Sequence, residues 1–351
     1  MTEEFGKITR DFFDANIKPK LGRKRKEVIV PPRNGVDIGV IRIGQNRVMA
    51  ITTDPFYIVP PYGWERAAWF AFHIIASDLC TTGLPPEYFA VDLNLPMSIT
   101  DDEFKILWNT VDREARKYGV SIVTGHTARY EGTDYPMVGG ATMIGTGPED
   151  NYVTSAMAEK GDSVVITKTA ALEATAIFSM LYPDHISSHL GAATLRKGQQ
   201  LFYKMSTVDE SMLASSFGLR KKGVTAMHDA TEGGVLGALY EVAEASGKGV
   251  LVDLEKIPVN PEVAEICGLF GMRPHHSISE GTLIITVKKD RCASLLSLLK
   301  SKRIEAAEVG TIMDASQGKM VASGGKTEEL PPPGKDDFWR AIHQATEARL
   351  K

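Results

Sequence analysis

The chain has 351 residues, a formal net charge of -4 and 43% hydrophobic residues. This length exceeds the size at which a single hydrophobic core usually stops growing, so we expect two domains. The ordinary hydrophobic and charged content excludes a disordered chain. The small negative charge gives no general attraction to nucleic acid or to anionic membranes, so neither is an expected partner.

The N-terminal residues contain no apolar signal-peptide core. The longest apolar run, residues 69–76, is interrupted by His73 and is too short to span a bilayer. The three cysteines, Cys80, Cys267 and Cys292, are far apart, which is typical of buried thiols in a reducing compartment. These features predict a soluble, cytoplasmic protein.

In the first half of the chain, compact apolar segments alternate with amphipathic ones. Residues 48–53 predict a buried strand with Asp54 just past its end, and residues 65–79 predict a buried helix that carries Asp78 near its end. Residues 100–103 match a capping box, which opens a helix that stops at Gly119. Residues 120–124 and 140–145 predict two more strands.

A polar break at residues 148–151 suggests the boundary between domains of residues 1–147 and 148–314. The second unit is predicted to contain strands at 163–167 and 282–287 and helices at 170–181, 195–205, after Thr231 and at 290–299. The remaining residues, 315–351, form a predicted tail. In it, the Gly-, Lys-, Glu- and Pro-rich segment 318–335 predicts an exposed linker before a short helix at 336–349.

Common nucleotide and metal motifs are absent from the sequence. The segment Gly325-Lys326-Thr327 ends like a phosphate-binding loop, but position 320 is Met where that loop needs Gly. No GxGxxG follows a strand and opens a helix, and no Cys/His spacing resembles a zinc site. A nucleotide would therefore be bound by another device.

Scattered aspartates could supply such a device. Asp37, Asp54 and Asp78 lie at predicted loop or element ends, and Asp78 adjoins an apolar helix face. A carboxylate there is costly without a positive partner. Mg²⁺ binds through a few carboxylates plus substrate phosphates, so these residues are suitable ligands. Alternatively, Asp78 caps a loop or pairs with an arginine.

The sharpest local pattern is the run from Met227 to Leu236. Thr231 has the properties of a helix N-cap, and Glu232 lies where the helix dipole favours an anion. Two glycines, Gly233 and Gly234, would weaken a first helical turn by about 1 kcal/mol each relative to Ala. Such a cost indicates close approach by a ligand or another backbone, and close helix packing stays an open explanation.

Several motifs occur in a fixed order along the chain: Asp37 in its glycine-flanked loop, Thr52-Thr53-Asp54, Ser77-Asp78-Leu79 with Gly83, Gly125-His126-Thr127, Gly139-Gly140 and His228 to Gly234. Together they resemble the aminoimidazole-ribonucleotide-synthetase-like (PurM-like) superfamily of ATP-binding enzymes. The resemblance runs from about residue 30 to about residue 312. It is closest to the branch of the hydrogenase maturation protein HypE, through the last motif and residues 279–283.

The resemblance implies ATP and Mg²⁺ as cofactors. It implies that the Mg²⁺ ligands are Asp37, Asp54, Asp78 and Asp229, the last three also serving catalysis. Further nucleotide contacts would come from Lys7, Thr53, Glu232 and the turn formed by Gly125, His126 and Thr127.

The implied fold is an α+β N-terminal domain with a ferredoxin-like, dimer-forming sheet, followed by an α/β domain with a mainly antiparallel sheet. The implied protein is a homodimer that activates an amide, carboxylate or phosphate oxygen by phosphoryl transfer. Its acceptor would be a small molecule or a group carried by a protein.

The chain departs from the family pattern at several positions. Val36 stands where many relatives have a second aspartate, and His126 where many have a carboxylate. No cysteine lies near the C-terminus, which disfavours modification of a cysteine in the protein's own tail. No glycine-rich reactive loop lies near the N-terminus, which disfavours selenophosphate synthesis. Two alternatives stay open: a small-molecule kinase like thiamine-monophosphate kinase, and a non-catalytic nucleotide-binding partner protein.

Overall fold

The computed structural model describes residues 6–350, whose strands form two sheets. The first sheet contains six strands in the order β1-β2-β3-β6-β4-β5, antiparallel except for the β4–β5 pair. Their bounds are β1 Val28–Val30, β2 Gly39–Gly44, β3 Arg47–Tyr57, β4 Tyr88–Pro96, β5 Ser121–Tyr130 and β6 Met137–Pro148. The helices of this half are α1 Arg10–Asn16, α2 Trp64–Cys80 and α3 Asp101–Tyr118.

The second sheet contains seven strands in the order β13-β12-β9-β11-β7-β10-β8, and only the β9–β12 pair is parallel. Its strands are β7 Ser163–Thr167, β8 Val224–Asp229, β9 Gly249–Asp253, β10 Leu283–Val287, β11 Ala306–Met313, β12 Lys319–Ser323 and β13 Lys326–Glu329. The helices are α4 Leu172–Leu181, α5 Pro183–Gln200, α6 Val208–Phe217, α7 Gly234–Ser246, α8 Pro261–Leu269, α9 Cys292–Ser301 and α10 Asp337–Glu347. Two mixed sheets with flanking helices confirm the predicted fold class.

Helix α2 lies between the two halves of the molecule. Phe72 and Leu79 pack into the core of the first sheet, whereas Trp69 and Phe70 contact Phe202 of the second half. A helix that is apolar around its whole circumference is stable only when it is buried on all sides. This position brings the last turn of α2, and Asp78 with it, to the junction between the halves.

The predicted capping box on α3 is present. The Thr100 hydroxyl accepts the Glu103 amide, the Glu103 carboxylate accepts the Thr100 amide, and Gly119 ends the helix in a left-handed conformation. Reciprocal bonds satisfy amides that the first helical turn leaves free, which explains why the sequence located this boundary correctly.

The predicted exposed linker at 318–335 is wrong over most of its length. Residues 319–329 form the β12–β13 hairpin, which extends the second sheet beside β9. Gly324 and Gly325 both have positive φ angles, as a two-residue hairpin turn requires. The high content of Gly, Lys and Glu concealed this turn signal, and the predicted helix that follows is present as α10.

Two residues expected in loops lie inside strands. Asp54 pairs with Ala141 within β3, which continues to Tyr57. The pairing of β2 with β3 extends only to Ile51, so β3 has a free side at Pro55, where a strand can accommodate a proline. Gly125 lies within β5, where a Cβ atom would come 2.5 Å from the Val91 oxygen. The glycine therefore serves close strand pairing, and the predicted turn at 125–127 is wrong.

The start of α7 also differs from the expectation. Gly233, not Thr231, is the N-cap, and both Gly233 and Gly234 have positive φ angles. A Cβ atom on Gly234 would lie 2.8 Å from backbone atoms of His275 and Ser277. Close approach by another backbone, one of the two open explanations, accounts for the glycine pair.

Two further observations concern the whole described chain. The three cysteines are free and buried, as predicted. Among the helices of residues 6–350, none combines the length and apolarity needed to cross a membrane.

Candidate active site

Four predicted aspartates come together where the two halves of the molecule meet. Asp37 lies on the loop before β2, Asp54 in β3, Asp78 in the last turn of α2 and Asp229 at the end of β8. Asp78 is close enough to the other three that, in addition to burial, the charges of Asp229, Asp54 and Asp37 raise the pKa of its carboxyl. Residues that are as much as 192 positions apart in the sequence therefore share one site.

Thr52 ties two parts of this cluster together. Its hydroxyl lies 3.1 Å from Asp78 Oδ2 and 3.1 Å from the backbone oxygen of Asp37. Because Thr52 is buried at 3% exposure, this bond holds the Asp78 carboxylate in a defined orientation towards the Asp37 loop.

The electrostatics of the cluster favour a bound cation. Burial raises the pKa of Asp78 well above its usual range, and the negative charges of Asp229 and Asp54 raise it further. Burial also raises the pKa of Asp229, although the neighbouring His228 charge lowers it in part. Carboxylates held this close without enough positive charge resist ionisation, and a divalent cation removes that resistance.

Two cationic side chains face Asp37. Lys7 Nζ lies 3.9 Å from Asp37 Oδ1 and donates to the Thr231 hydroxyl at 3.4 Å. Burial opposes ionisation of Asp37, but the charges of Lys7 and His228 leave the pKa of its carboxyl below the usual value. The structure thus places Lys7 beside Asp37, and the nucleotide contact that the resemblance implies for Lys7 stays a prediction.

His228 lies among three carboxylates. Its Nδ1 is 3.6 Å from Asp37 Oδ2 and 3.7 Å from Asp229 Oδ1, and its Nε2 is 3.0 Å from Glu241 Oε2. Burial lowers the pKa of His228, but the bond to Glu241 and the charge of Asp37 outweigh burial and raise it to about 9. Within the described chain, Asp37, His228 and Asp229 form a group whose ligand atoms all lie within 4.8 Å of one another.

An orphaned atom shows that the cluster fits a metal. Asp229 is 2% exposed, and its Oδ2 is buried with no hydrogen-bond partner in residues 6–350. Buried carboxylate oxygens are almost always bonded, and an unpaired one at the centre of an acidic cluster needs an explanation. Oxygen ligands of this kind suit a hard divalent cation such as Mg²⁺.

A second acidic pair adjoins the first cluster. The Glu280 amide donates to Glu173 Oε2 at 3.0 Å, and neither carboxylate oxygen of Glu280 has a partner within the described residues. Burial raises the pKa of Glu173 to about 8 and that of Glu280 well above its usual range, with the charge of Asp229 adding to the shift in Glu280. These two side chains line the Asp229 side of the junction.

Glu232 is engaged by protein groups. One carboxylate oxygen accepts the Lys7 amide at 2.8 Å and the other accepts the Trp339 indole N–H at 2.7 Å. The residue predicted to contact the nucleotide thus joins the N-terminal segment to α10.

The remaining predicted nucleotide residues lie on the first sheet. Thr53 precedes Asp54 in β3, and its hydroxyl bonds to the Ala141 oxygen and to the Thr142 hydroxyl of β6. Gly125, His126 and Thr127 lie on edge strand β5, three strand spacings from β3, which is roughly 14 Å. His126 bonds to the Tyr130 hydroxyl at 2.8 Å, and the structure does not bring these three residues to the aspartate cluster within one protomer.

Sequence reasoning missed several residues of the site. His228 belongs to one of the predicted motifs but had no predicted role, and neither did Thr52, Glu173 and Glu241. The adjacency of His228 and Asp229 was the available signal for the histidine. Nothing in the local pattern around the other three predicted their contacts, because each contact joins residues far apart in the sequence.

Comparison with models of known protein families gives two matches. The N-terminal domain model of the AIR synthase related proteins matches residues 35–146, and the C-terminal domain model matches residues 159–323. The chain belongs to the AIR synthase-related protein family. The two matched ranges together contain all four aspartates of the cluster.

The chain is also similar to individual proteins of known name and to solved structures. Carbamoyl dehydratase HypE of Bradyrhizobium diazoefficiens is 26% identical over 273 residues, covering 75% of this chain and 73% of that protein. The structure of HypE in complex with ATP has a TM-score of 0.63, with 19% identity and 93% coverage of both chains. The thiamine-monophosphate kinase AaThiL in complex with AMPPCP and TMP has a TM-score of 0.71, with 19% identity and coverage of 95% of this chain and 99% of that chain.

Proposed function

We propose that this protein is a Mg²⁺-dependent, ATP-using enzyme that transfers a phosphoryl group to an amide, carboxylate or phosphate oxygen. The observation that carries the proposal is the convergence of Asp37, Asp54, Asp78 and Asp229 in one buried cluster, in which one Asp229 oxygen has no partner within the described residues. The family membership and the HypE and kinase relatives support the use of ATP.

In this proposal the aspartates hold Mg²⁺, which neutralises charge on the nucleotide phosphates when it is bound. Asp54 and Asp78 approach from the first domain and Asp229 from the second, so binding draws on both halves of the molecule. Lys7 adds a flexible positive charge next to Asp37, where it can contact a phosphate oxygen. The protein contributes position and charge rather than covalent chemistry.

In this proposal Glu173 and Glu280 interact with the acceptor. A carboxyl group whose pKa is raised to about 8, as for Glu173, is largely protonated at neutral pH and can donate a hydrogen bond to an acceptor oxygen or nitrogen. The two unpartnered oxygens of Glu280 offer acceptor positions in the same region. This combination favours an acceptor that carries an amide or carboxyl group.

We further propose a homodimer that forms through β5. This ten-residue strand is an edge of the first sheet, and most of its residues are exposed, including Val123 at 53%. A long exposed edge strand offers a row of unpaired backbone groups to another chain. In such a dimer, Gly125, His126 and Thr127 of one protomer would contact the nucleotide bound by the other protomer.

Product analysis with Mg-ATP and a panel of amide, carboxylate and phosphate acceptors tests the function. Release of ADP and free phosphate that depends on an amide or carboxylate acceptor supports the dehydratase-type reaction. Transfer of labelled phosphate to a stable product supports a kinase. Tight nucleotide binding without turnover in any acceptor mixture would support the non-catalytic partner protein and contradict the proposed enzyme.

A further inference from the structure

The environment of His228 suggests a nitrogen ligand in the metal site. Its Nε2 lies 3.0 Å from Glu241 Oε2, which is a hydrogen-bond distance. Before a metal binds, His228 is a cation whose Nδ1 faces Asp37 and Asp229. A divalent cation that displaces the Nδ1 proton would gain a nitrogen ligand, because the bond to Glu241 keeps Nε2 as the donor. A carboxylate that orients a histidine in this way is the usual outer-shell partner of a histidine metal ligand.

The separations between the three residues are those of ion pairs, and they are also close to the separations between ligands of one cation. The Nδ1 distances of 3.6 and 3.7 Å to the two carboxylate oxygens are too long for hydrogen bonds. Ligands that each lie about 2.1 Å from one ion are separated by roughly 3.0 to 3.5 Å at octahedral or tetrahedral angles. A small contraction of the three side chains would therefore complete the site.

The backbone holds both ends of this arrangement in place. Gly35, at a φ angle of +71°, lets the Asp37 loop pack against α7, where an added Cβ atom would lie 3.1 Å from Glu241 Cβ. His228 and Asp229 are the last two residues of β8, which pair with Ile284 and Leu283 of β10. The loop, the strand and the helix that supply the four side chains are thus in direct contact.

We propose that Asp37, His228 and Asp229 form a mixed nitrogen and oxygen site that prefers Mn²⁺, Co²⁺ or another borderline divalent transition metal over Mg²⁺. This inference rests on the proposed metal-dependent function and specifies which cation these three residues bind. Imidazole strengthens binding of first-row transition metals far more than that of Mg²⁺, which binds almost entirely through oxygen. Three protein ligands leave positions open for phosphate oxygens.

Titration of the nucleotide-free full chain with MnCl₂ and with MgCl₂ by calorimetry tests this preference. The expected dissociation constant for Mn²⁺ is at least about tenfold below that for Mg²⁺. His228→Gln should weaken Mn²⁺ binding by roughly 10- to 100-fold and Mg²⁺ binding by less than about threefold. His189→Gln, which changes an exposed histidine on α5 outside the cluster, is the matched control and should alter neither value.

Electron spin echo spectroscopy of the Mn²⁺-loaded protein gives a direct readout of the ligand. Modulation from a coordinated imidazole nitrogen is expected in the wild type and should disappear in His228→Gln. Glu241→Gln, which keeps the ligand and alters only its orienting partner, should reduce Mn²⁺ affinity by a smaller factor and provides a second variant should His228→Gln fail to fold.

Equal affinity for both metals, or Mn²⁺ binding without nitrogen modulation, would overturn the inference. If Mg-ATP still binds in that case, the proposed function survives and only the metal preference fails. If neither cation nor nucleotide binds, the proposed function falls together with the inference.

Discussion

Trp339 of α10 donates its indole N–H to Glu232 at 2.7 Å, and the same carboxylate accepts the Lys7 amide at 2.8 Å. Helix α10 is anchored beside this contact by Phe338, which packs against Phe178, and by Asp336, which accepts the Gly233 amide at 2.7 Å. The C-terminal helix therefore connects the N-terminal segment that carries Lys7 to the loop that follows Asp229.

Trp339→Phe tests whether this connection positions Lys7. The change removes one donor and keeps an aromatic ring, so Glu232 should hold the Lys7 amide less firmly. We expect faster hydrogen exchange at the Lys7 amide and a rise of roughly 3- to 10-fold in the KM for ATP with little change in kcat. Trp108→Phe, on α3, is the control. Unchanged exchange at Lys7 would show that Glu232 holds the segment without Trp339.

The buried pair of Glu173 and Glu280 predicts that the stability of the folded protein depends on pH. The folded-state pKa of Glu173 is about 8, above its ordinary value of 4.5, so the folded protein binds the extra proton between these values. Stability is therefore lost as the pH rises from about 4.5 to about 8, and Glu173→Gln removes this loss. We expect Glu173→Gln to raise the thermal midpoint at pH 8.5 by about 2–4 °C, with a smaller gain at pH 5.

The control for this measurement is Glu305→Gln, which changes an exposed glutamate outside the Glu173–Glu280 pair. It should leave the midpoint unchanged at both pH values. A Glu173→Gln gain that is the same at pH 5 and pH 8.5 would contradict a raised pKa as its cause.

The exposed edge of β5 predicts where the homodimer forms. Val123→Lys places a charge on an exposed edge strand and should convert a dimer into a monomer, because a lysine there opposes strand addition. Light scattering after size-exclusion chromatography measures the mass directly. Ile106→Lys changes an equally exposed apolar residue on α3 and should leave the dimer intact. A dimeric Val123→Lys protein would locate the interface elsewhere.

Features that depend on local chemistry were predicted well from the sequence. The capping box of α3, the buried α2 and the loss of helix propensity at Gly233-Gly234 each follow from neighbouring residues. Asp78 was singled out because a carboxylate beside an apolar helix face is costly, and the structure places other carboxylates around it.

Features that depend on distant partners were not predicted. The β12–β13 hairpin is stabilised by β9, about 70 residues earlier, and its composition alone resembles a linker. Likewise Asp54 stays in a strand because β6 pairs with it, although the following proline suggests a loop. The roles of Glu241 and Trp339 depend on contacts with His228 and Glu232 that no local pattern reveals.

Metal-dependent nucleotide binding by Asp229→Asn tests the central claim most directly. Asp229→Asn keeps the shape of the side chain and removes the charge of the one carboxylate that the second domain contributes to the four-aspartate cluster. Calorimetry with a non-hydrolysable ATP analogue should give Mg²⁺-dependent binding in the wild type and in Asp184→Asn, an exposed control on α5. Asp229→Asn should weaken that binding by roughly 10- to 100-fold.

The same variant should fold normally, because burial and the nearby Asp37 charge already oppose ionisation of Asp229 in the folded protein, and His228 offsets this only in part. This separates a functional loss from unfolding. The account predicts a stable Asp229→Asn protein that no longer binds the analogue tightly with Mg²⁺. Wild-type affinity in this variant, or binding that is indifferent to Mg²⁺ in the unmodified protein, would contradict it.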